Sequence, residues 1–141
     1  MKKTTIHKLL VESEVHCIFG ISTGLADYRL AWELNQKLEI KLLLSEETNS
    51  YLDNKTSETT LLRLYKYYDE EMNRSYTLLK NRQTSQPIIQ ELYQMDYFLL
   101  TENWDDSSRK EILSKMRSTN GIGAVFYLEE EASRFFEQFS L

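Results

Sequence analysis

Residues 15–38 narrow the possible folds more than any other part of the chain. They predict a strand at residues 15–21, a short turn, and a helix that ends at about residue 38. Ile18 lies on one face of this strand, and the side chains on the opposite face are Cys17, Phe19 and Ile21. A strand with two apolar faces is typical of the middle of a sheet. The helix is expected to turn a broad apolar arc onto the strand. The members of this arc are Leu25, Tyr28, Ala31, Trp32, Leu34 and Leu38.

The rest of the chain predicts more strands than a small four-stranded sheet can hold. Residues 60–68 and 74–81 carry many apolar and aromatic side chains around an acidic loop at 69–73, which indicates a hairpin. Residues 45–59 are polar and are expected to form a surface loop. Further strands are expected at residues 4–11, 39–44, 95–101 and 122–128.

A second helix is expected between residues 104 and 119. Ser108 followed by Glu111 fits a capping box for this helix, and Asp105 or Asp106 is the alternative N-cap. The inner face of this helix is expected to consist of Ile112, Leu113 and Met116. Residues 88–94 fit either a short helix or an extended segment, and residues 129–141 fit an amphipathic helix or a docking tail.

The order of these elements predicts the fold class. A strand–helix–strand unit begins the chain, another ends it, and a hairpin lies between them. This order favours an α+β two-layer sandwich, with a mostly antiparallel sheet and two main helices on one face, related to the ferredoxin fold. Extra strands must extend that sheet. At 141 residues we expect a single domain over 1–141, with its core at about 5–128.

Composition excludes some classes of partner. The net charge of −5 disfavours a protein that binds phosphate backbones, so no nucleic acid partner is expected. The single cysteine, Cys17, excludes an intramolecular disulfide and fits a reducing compartment. The longest apolar run near the start is residues 9–11, which is too short for a signal peptide or a membrane span. We therefore expect a cytoplasmic protein with no membrane partner.

Two segments resemble a known family. The helix segment at residues 27–35 follows a Phe-Gly-Ile strand, and the segment at residues 89–99 follows about sixty residues later. Together they resemble the IPExxxVDY family of small bacterial cytoplasmic proteins, over roughly residues 5–128. The positions that match the family name are Ile89, Glu91, Asp96 and Tyr97, whereas Gln90 replaces its proline and Met95 its valine. The resemblance implies no established activity.

Asp27 and Asn35 are polar residues inside the apolar arc of the first helix. One interpretation is that they line a pocket where the strand meets the helix. The other is structural: Asp27 would satisfy free backbone N–H groups in the first helical turn, and Asn35 would hydrogen-bond a neighbouring loop. Both interpretations remain open on the sequence alone.

Asp96, Glu91 and Arg29 are candidates for a buried ion pair or triad. Asp96 begins a strand with two apolar faces, and a buried carboxylate needs a partner. Two neighbouring carboxylates can also perform acid–base chemistry, but we favour structural pairing. With Asp27 and Asn35 these three residues form the predicted ligand-binding or structural polar cluster.

The sequence contains no recognisable catalytic set. His16 and Cys17 are adjacent on a strand and therefore face opposite sides of the sheet. The two histidines, the cysteine and the carboxylates show no metal-ligand spacing, and no phosphate-binding glycine loop or nucleophile motif is present. We expect no cofactor and no metal ion; the sequence leaves enzymatic activity open and favours a non-enzymatic protein.

Aromatic residues point to an interaction surface. Tyr65 and Tyr67 lie on the hairpin, and the tail carries Phe135, Phe136 and Phe139. Tyrosine is enriched at interface cores, so the predicted function is a non-enzymatic protein-interaction or self-associating module, including a possible homodimer. Alternatively, the tail folds over the open sheet face and the tyrosines are ordinary strand residues. The alternative function is a small-molecule binding domain with a polar pocket near Asp27, Arg29 and Asp96.

Overall fold

The computed structural model describes residues 17–46, 49–52, 59–82, 86–101 and 105–128, together with residue 136. The strand expected at residues 4–11 lies outside these described residues. The expected tail at 129–141 also lies outside them, apart from residue 136.

Two helices and eight strands are present in this part of the chain. The helices are α1 (Asp27–Leu38) and α2 (Asp106–Arg117), and a short 3₁₀ helix covers Gln90–Leu92. The strands are β1 (Cys17–Thr23), β2 (Leu43–Leu44), β3 (Asn49–Leu52), β4 (Thr59–Leu62), β5 (Leu64–Asp69), β6 (Arg74–Lys80), β7 (Tyr97–Thr101) and β8 (Ile122–Leu128). In the described residues, no helix has both the length and the apolar content that crossing a membrane requires.

Six strands form one sheet in the order β2-β5-β6-β7-β1-β8, and every pair of neighbours is antiparallel. β1 and β6 flank β7, and β7 and β8 flank β1, which gives two split β-α-β units with α1 and α2 as their helices. β5 and β2 extend the sheet beyond β6. The predicted α+β class and the extension of a ferredoxin-like core are therefore confirmed.

The sheet separates two apolar clusters. The helix-covered face contains Phe19 and Ile21 from β1 with Leu34 of α1 and Met116 of α2, all of them buried. The opposite face contains Ile18, Leu79, Phe98 and Leu100, which are covered by Ile89, Met95 and Phe136. The predicted alternation of β1 is confirmed, and so is the placement of both helices on one face.

α2 packs as the sequence indicates, but it begins at the alternative N-cap, Asp105, and the expected capping box at Ser108 is wrong because Ser108 lies inside the first helical turn. Asp105 is its N-cap, and its carboxylate accepts a 2.7 Å hydrogen bond from the backbone N–H of Ser108. This hydrogen bond lowers the pKa of the Asp105 carboxyl. Ile112 and Met116 are buried and Leu113 is half-buried, which confirms the predicted inner face.

Two expectations about the middle of the chain are wrong. The expected loop at residues 45–59 contains β3, which pairs with β4 as a separate two-stranded sheet. Backbone hydrogen bonds can hold such a strand although its side chains show no apolar alternation. The strand expected at residues 39–44 shrinks to β2, with Ile40 and Leu42 buried before it and Leu44 46% exposed. Because β2 lies at the sheet edge, one partner strand, β5, fixes it.

Candidate interaction surface

The two segments that carry the family resemblance meet in space. Asp96 accepts a 2.9 Å hydrogen bond from the backbone N–H of Thr23, and the Tyr97 hydroxyl donates a 2.8 Å hydrogen bond to the Leu25 carbonyl. Burial raises the pKa of Tyr97 to about 12, and the negative charges of Asp27 and Asp96 contribute in the same direction. The second segment therefore fixes the turn that leads from β1 into α1.

Asn81 holds the second segment in place, and the sequence analysis did not single it out. Its side chain is fully buried and makes three hydrogen bonds. The amide nitrogen donates to the carbonyls of Leu92 (3.1 Å) and Met95 (2.9 Å), and the amide oxygen accepts from the N–H of Ile89 (2.9 Å). The backbone of Asn81 also bonds to Ile88 and Asp96. A polar residue at a strand end resembles a turn signal, so only its buried position reveals this role.

The position where the family has proline keeps the geometry that proline imposes. Ile89 is extended (φ −108°, ψ 98°), and Gln90 is the first residue of the 3₁₀ helix. A residue before proline is restricted to this extended region. The backbone before Gln90 is therefore extended although residue 90 is not proline.

Asp27 makes structural contacts. Its carboxylate lies 2.5 Å from the guanidinium of Arg63 and also accepts a 2.7 Å hydrogen bond from the N–H of Tyr28. Hydrogen bonds to Tyr65 and Asp27 raise the pKa of Arg63. The structural interpretation of Asp27, as an acceptor for the first helical turn, is confirmed.

Asn35 also follows the structural interpretation. Its side-chain oxygen accepts a 2.7 Å hydrogen bond from the N–H of Leu42, and its amide nitrogen donates to the Leu42 carbonyl at 3.2 Å. This two-bond clamp closes the loop after α1, where Glu39 adopts a left-handed conformation (φ 57°). The predicted hydrogen bond to a neighbouring loop is therefore confirmed.

The predicted triad of Asp96, Glu91 and Arg29 does not form. Asp96 lies 3.9 Å from Arg82, Arg29 pairs with Glu33 at 2.8 Å, and Glu91 is exposed. The reason is geometric, because Arg29 projects from the outer side of α1, whereas Asp96 bonds to the turn at its base. Asp27 and Asp96 both act on Tyr97, but the other predicted members of the polar cluster lie elsewhere.

The aromatic residues predicted for an interface belong to the protein's own core where the structure describes them. Tyr65 is buried, and Tyr67 stacks on Tyr76 with their ring centroids 5.9 Å apart. Phe136 packs edge-on against Phe98 at 5.0 Å, on the sheet face opposite the helices. The alternative interpretation, that these are ordinary strand residues with tail contacts over the open face, is confirmed for these three. Phe135 and Phe139 lie outside the described residues.

Several aromatic residues outside this predicted set are exposed, and two of them, Tyr28 and Trp32, lie one turn apart on α1, whereas Tyr68, Tyr93, Phe126 and Tyr127 lie elsewhere. Tyr28 is 69% exposed and Trp32 is 52% exposed, so their expected place in the arc that packs onto β1 is wrong. The buried residues of α1 include Leu30 and Leu34, which centre the inward face near Asp27. At about 100° per residue, Tyr28 and Trp32 then lie roughly 100–140° away from that centre.

A cation lies against the Trp32 ring. The guanidinium of Arg29 lies 5.0 Å from the centroid of the Trp32 ring, within the range of a cation–π contact. Arg29 also hydrogen-bonds through two nitrogens to one carboxylate oxygen of Glu33, at 3.1 and 2.8 Å. The aromatic ring and the guanidinium are therefore held in one arrangement on the helix surface.

A groove of about 490 Å³ lies beside this arrangement. Its lining residues are Arg29, Trp32, Glu33, Gln36, Lys37 and Asn120. Asn120 reaches it from the loop between α2 and β8. We call Tyr28 together with these six lining residues the α1 surface.

Neither a search for metal-binding groups nor the comparisons with known proteins assign a function to the α1 surface. Within the described ranges, no group of three or more His, Cys, Asp or Glu side chains could hold a metal ion. Comparisons of the chain with models of protein families and with curated protein sequences found no match. The resemblance to the IPExxxVDY family therefore stays a prediction.

Proposed function

We propose that the protein is a non-enzymatic protein-interaction module that docks its partner on the α1 surface. One observation carries the proposal: Tyr28 and Trp32, one turn apart on α1, are more than half exposed, and the oriented guanidinium of Arg29 lies against the Trp32 ring. Tryptophan, tyrosine and arginine are the residue types that contribute most often to binding hot spots. A partner protein or a second copy of this chain would cover them.

The exposed aromatic area is large enough to matter for binding. Aromatic side chains bury about 150–250 Å² each, so covering the exposed parts of Tyr28 and Trp32 would remove roughly 200–250 Å² from water. At about 25 cal/mol per Å², this gives about 5–6 kcal/mol before the cost of association. That cost is of similar size, so further contacts along the groove are needed for stable binding.

The other function expected from the sequence, small-molecule binding near Asp27, Arg29 and Asp96, has less geometric support. Asp27, Arg29 and Asp96 pair with three different residues. The groove beside Arg29 is lined by neither Asp27 nor Asp96. The carboxylate of Asp27 is already used by Arg63 and by the backbone of α1. We place the proposed module in the cytoplasm, where the free thiol of the buried Cys17 stays reduced.

Photo-cross-linking in the source cells tests the docking surface. A benzoylphenylalanine residue would replace Tyr28 or Trp32, and Tyr93, which is 57% exposed away from α1, serves as the matched control position. We expect a discrete adduct from positions 28 and 32 and none from 93, with twice the chain mass if the partner is a second copy. Equal adducts at all three positions, or none at 28 and 32, would contradict the proposal.

Light scattering after size exclusion separates the two kinds of partner. The double variant Tyr28→Ala/Trp32→Ala is compared with Tyr68→Ala/Tyr93→Ala, because all four rings are more than half exposed. Exposed substitutions change the free energy of unfolding by only about 0.5 kcal/mol, so both variants should fold. A wild-type dimer that only the first variant dissolves identifies self-association.

A further inference from the structure

We propose that the partner segment that docks on the α1 surface is acidic, with two carboxylates that meet Arg29 and Lys37. This inference rests on the proposed function, since it specifies the partner of the same surface. Its basis is the sign, the orientation and the spacing of the charges along the groove.

The accessible charges of the groove are positive, although the whole chain carries a net charge of −5. The side chain of Arg29 is 55% exposed and Lys37 is exposed, whereas the side chain of Glu33 is only 10% exposed. Glu33 is the one carboxylate among the lining residues, and Arg29 already binds it. A local cationic site on an acidic protein attracts an anionic partner and excludes a basic one.

Arg29 is oriented for a carboxylate. A guanidinium has five N–H donors, and Glu33 uses one on Nε and one on Nη2. Three N–H groups are therefore left that Glu33 does not use. Because the Trp32 ring and Glu33 fix the guanidinium, it loses little conformational freedom when a carboxylate binds in the two-pronged geometry that arginine favours.

The spacing of the cations favours an extended peptide over a single small anion. Arg29 and Lys37 are eight residues apart on α1, which corresponds to about 12 Å along the helix at 1.5 Å per residue and about 80° around its axis. An extended chain advances about 3.3 Å per residue and turns alternate side chains to the same face. Acidic residues four positions apart on such a chain therefore match the two cations. The amide groups of Gln36 and Asn120 line the groove and can bond to the peptide backbone.

Fluorescence of Trp32 provides the test. The chain has two tryptophans, so Trp104→Phe leaves Trp32 as the only one. The probe is a capped alanine-rich octapeptide with glutamates at positions 2 and 6, and its matched control carries glutamines there. We expect saturable changes in the emission of Trp32 with the glutamate peptide, binding at least tenfold weaker with the control, and weaker binding at higher salt.

Variants of the chain assign the binding to the two cations. Lys37→Gln should raise the Kd for the glutamate peptide about tenfold, which is the effect of losing one charge-assisted contact. Lys110→Gln on α2 is the matched control and should leave the Kd unchanged. Arg29→Gln should weaken binding further, but it also removes the partner of Glu33, so Lys37→Gln is the decisive variant.

Three results would overturn the inference. They are equal binding of both peptides, an unchanged Kd in Lys37→Gln, and displacement of the peptide by an equal concentration of inorganic phosphate, which would indicate a site for small anions. A failure here combined with cross-linking at positions 28 and 32 would leave the docking surface in place and reject only an acidic partner. Failure of both experiments would reject the proposed function itself.

Discussion

Replacing Asn81 with alanine is expected to destabilise the fold more than any other single polar substitution argued from these contacts. The variant removes three side-chain hydrogen bonds at a fully buried position. It removes the Asn81 partner of the Ile89 N–H and of the Met95 carbonyl, whereas the Leu92 carbonyl keeps its 3.0 Å hydrogen bond from the Met95 N–H. The backbone bonds of Asn81 to Ile88 and Asp96 would remain.

The expected loss follows from counting these groups. A buried polar group that loses its partner costs about 1–3 kcal/mol, so the Ile89 N–H and the Met95 carbonyl together predict a loss of about 2–5 kcal/mol. A domain of this size has a free energy of unfolding of about 5–15 kcal/mol. Asn81→Ala should therefore remove a large fraction of it.

Asn35→Ala is the matched control. Asn35 makes two side-chain hydrogen bonds, both to Leu42, at a half-buried position. Water can reach the groups that this substitution frees, so the expected loss is about 1–2 kcal/mol. The two asparagine variants differ in the number of hydrogen bonds removed and in the burial of the groups left behind.

Urea unfolding followed by circular dichroism measures both variants and the wild-type chain. The slope of the free energy against urea should stay constant, so that the midpoints report stability. If Asn81→Ala lies within about 1 kcal/mol of the wild type, or loses no more than Asn35→Ala, the reasoning from burial and hydrogen-bond count is refuted.

Three further substitutions test the same region. Gln90→Pro should stabilise the folded protein by about 0.4–1 kcal/mol, because Ile89 is already extended. Glu91→Pro should destabilise it, because the preceding residue, Gln90, is helical. Thermal unfolding of both variants measures the difference. Gly20→Ala should cost about 1–3 kcal/mol, because a Cβ there would lie 2.6 Å from the sulfur of Met95, and Met95→Val should reduce this cost in a double-mutant cycle. Tyr97 has a folded-state pKa of about 12, above its unfolded value of about 10, so its contribution to stability is present below pH ~10 and is lost between these values. Tyr97→Phe should therefore show a smaller loss of stability than the wild type when urea midpoints are followed from pH ~9 to ~11; an equal loss would contradict this.

The architecture could be predicted from the sequence because its signals are local. β1 has two apolar faces, and α2 has an apolar spacing through Ile112 and Met116; on the sequence alone its N-cap, Asp105, is only the alternative to a capping box at Ser108. The number of strands required an extended sheet, which β5 and β2 provide. β3 could not be predicted, because its sequence shows no apolar alternation and the observed pairing with β4 is a contact between backbones.

The orientation of α1 could not be predicted, because contacts from distant parts of the chain decide it. Leu30 and Leu34 alone fit an inward face that excludes Trp32, but the aromatic rings also fit a broader arc. The ion pair between Asp27 and Arg63 spans 36 residues of sequence and turns Asp27 inward. The role of Asn81 could not be predicted for a similar reason, because its hydrogen-bond partners lie 8–14 residues further along the chain.

In the two segments that resemble the family, polar residues expected at a binding site are structural, and an aromatic residue expected in the core is exposed. Asp96 and Tyr97, which look like site residues, hydrogen-bond to Thr23 and Leu25 and fix the start of α1. Trp32, which looks like a core residue, is held on the outside of the same helix by Arg29. Substitutions at Asp96 or Tyr97 should therefore affect binding indirectly, by loosening the helix that presents the α1 surface. Such variants would lose stability and binding together, whereas Lys37→Gln, on the outer side of α1, should lose binding alone.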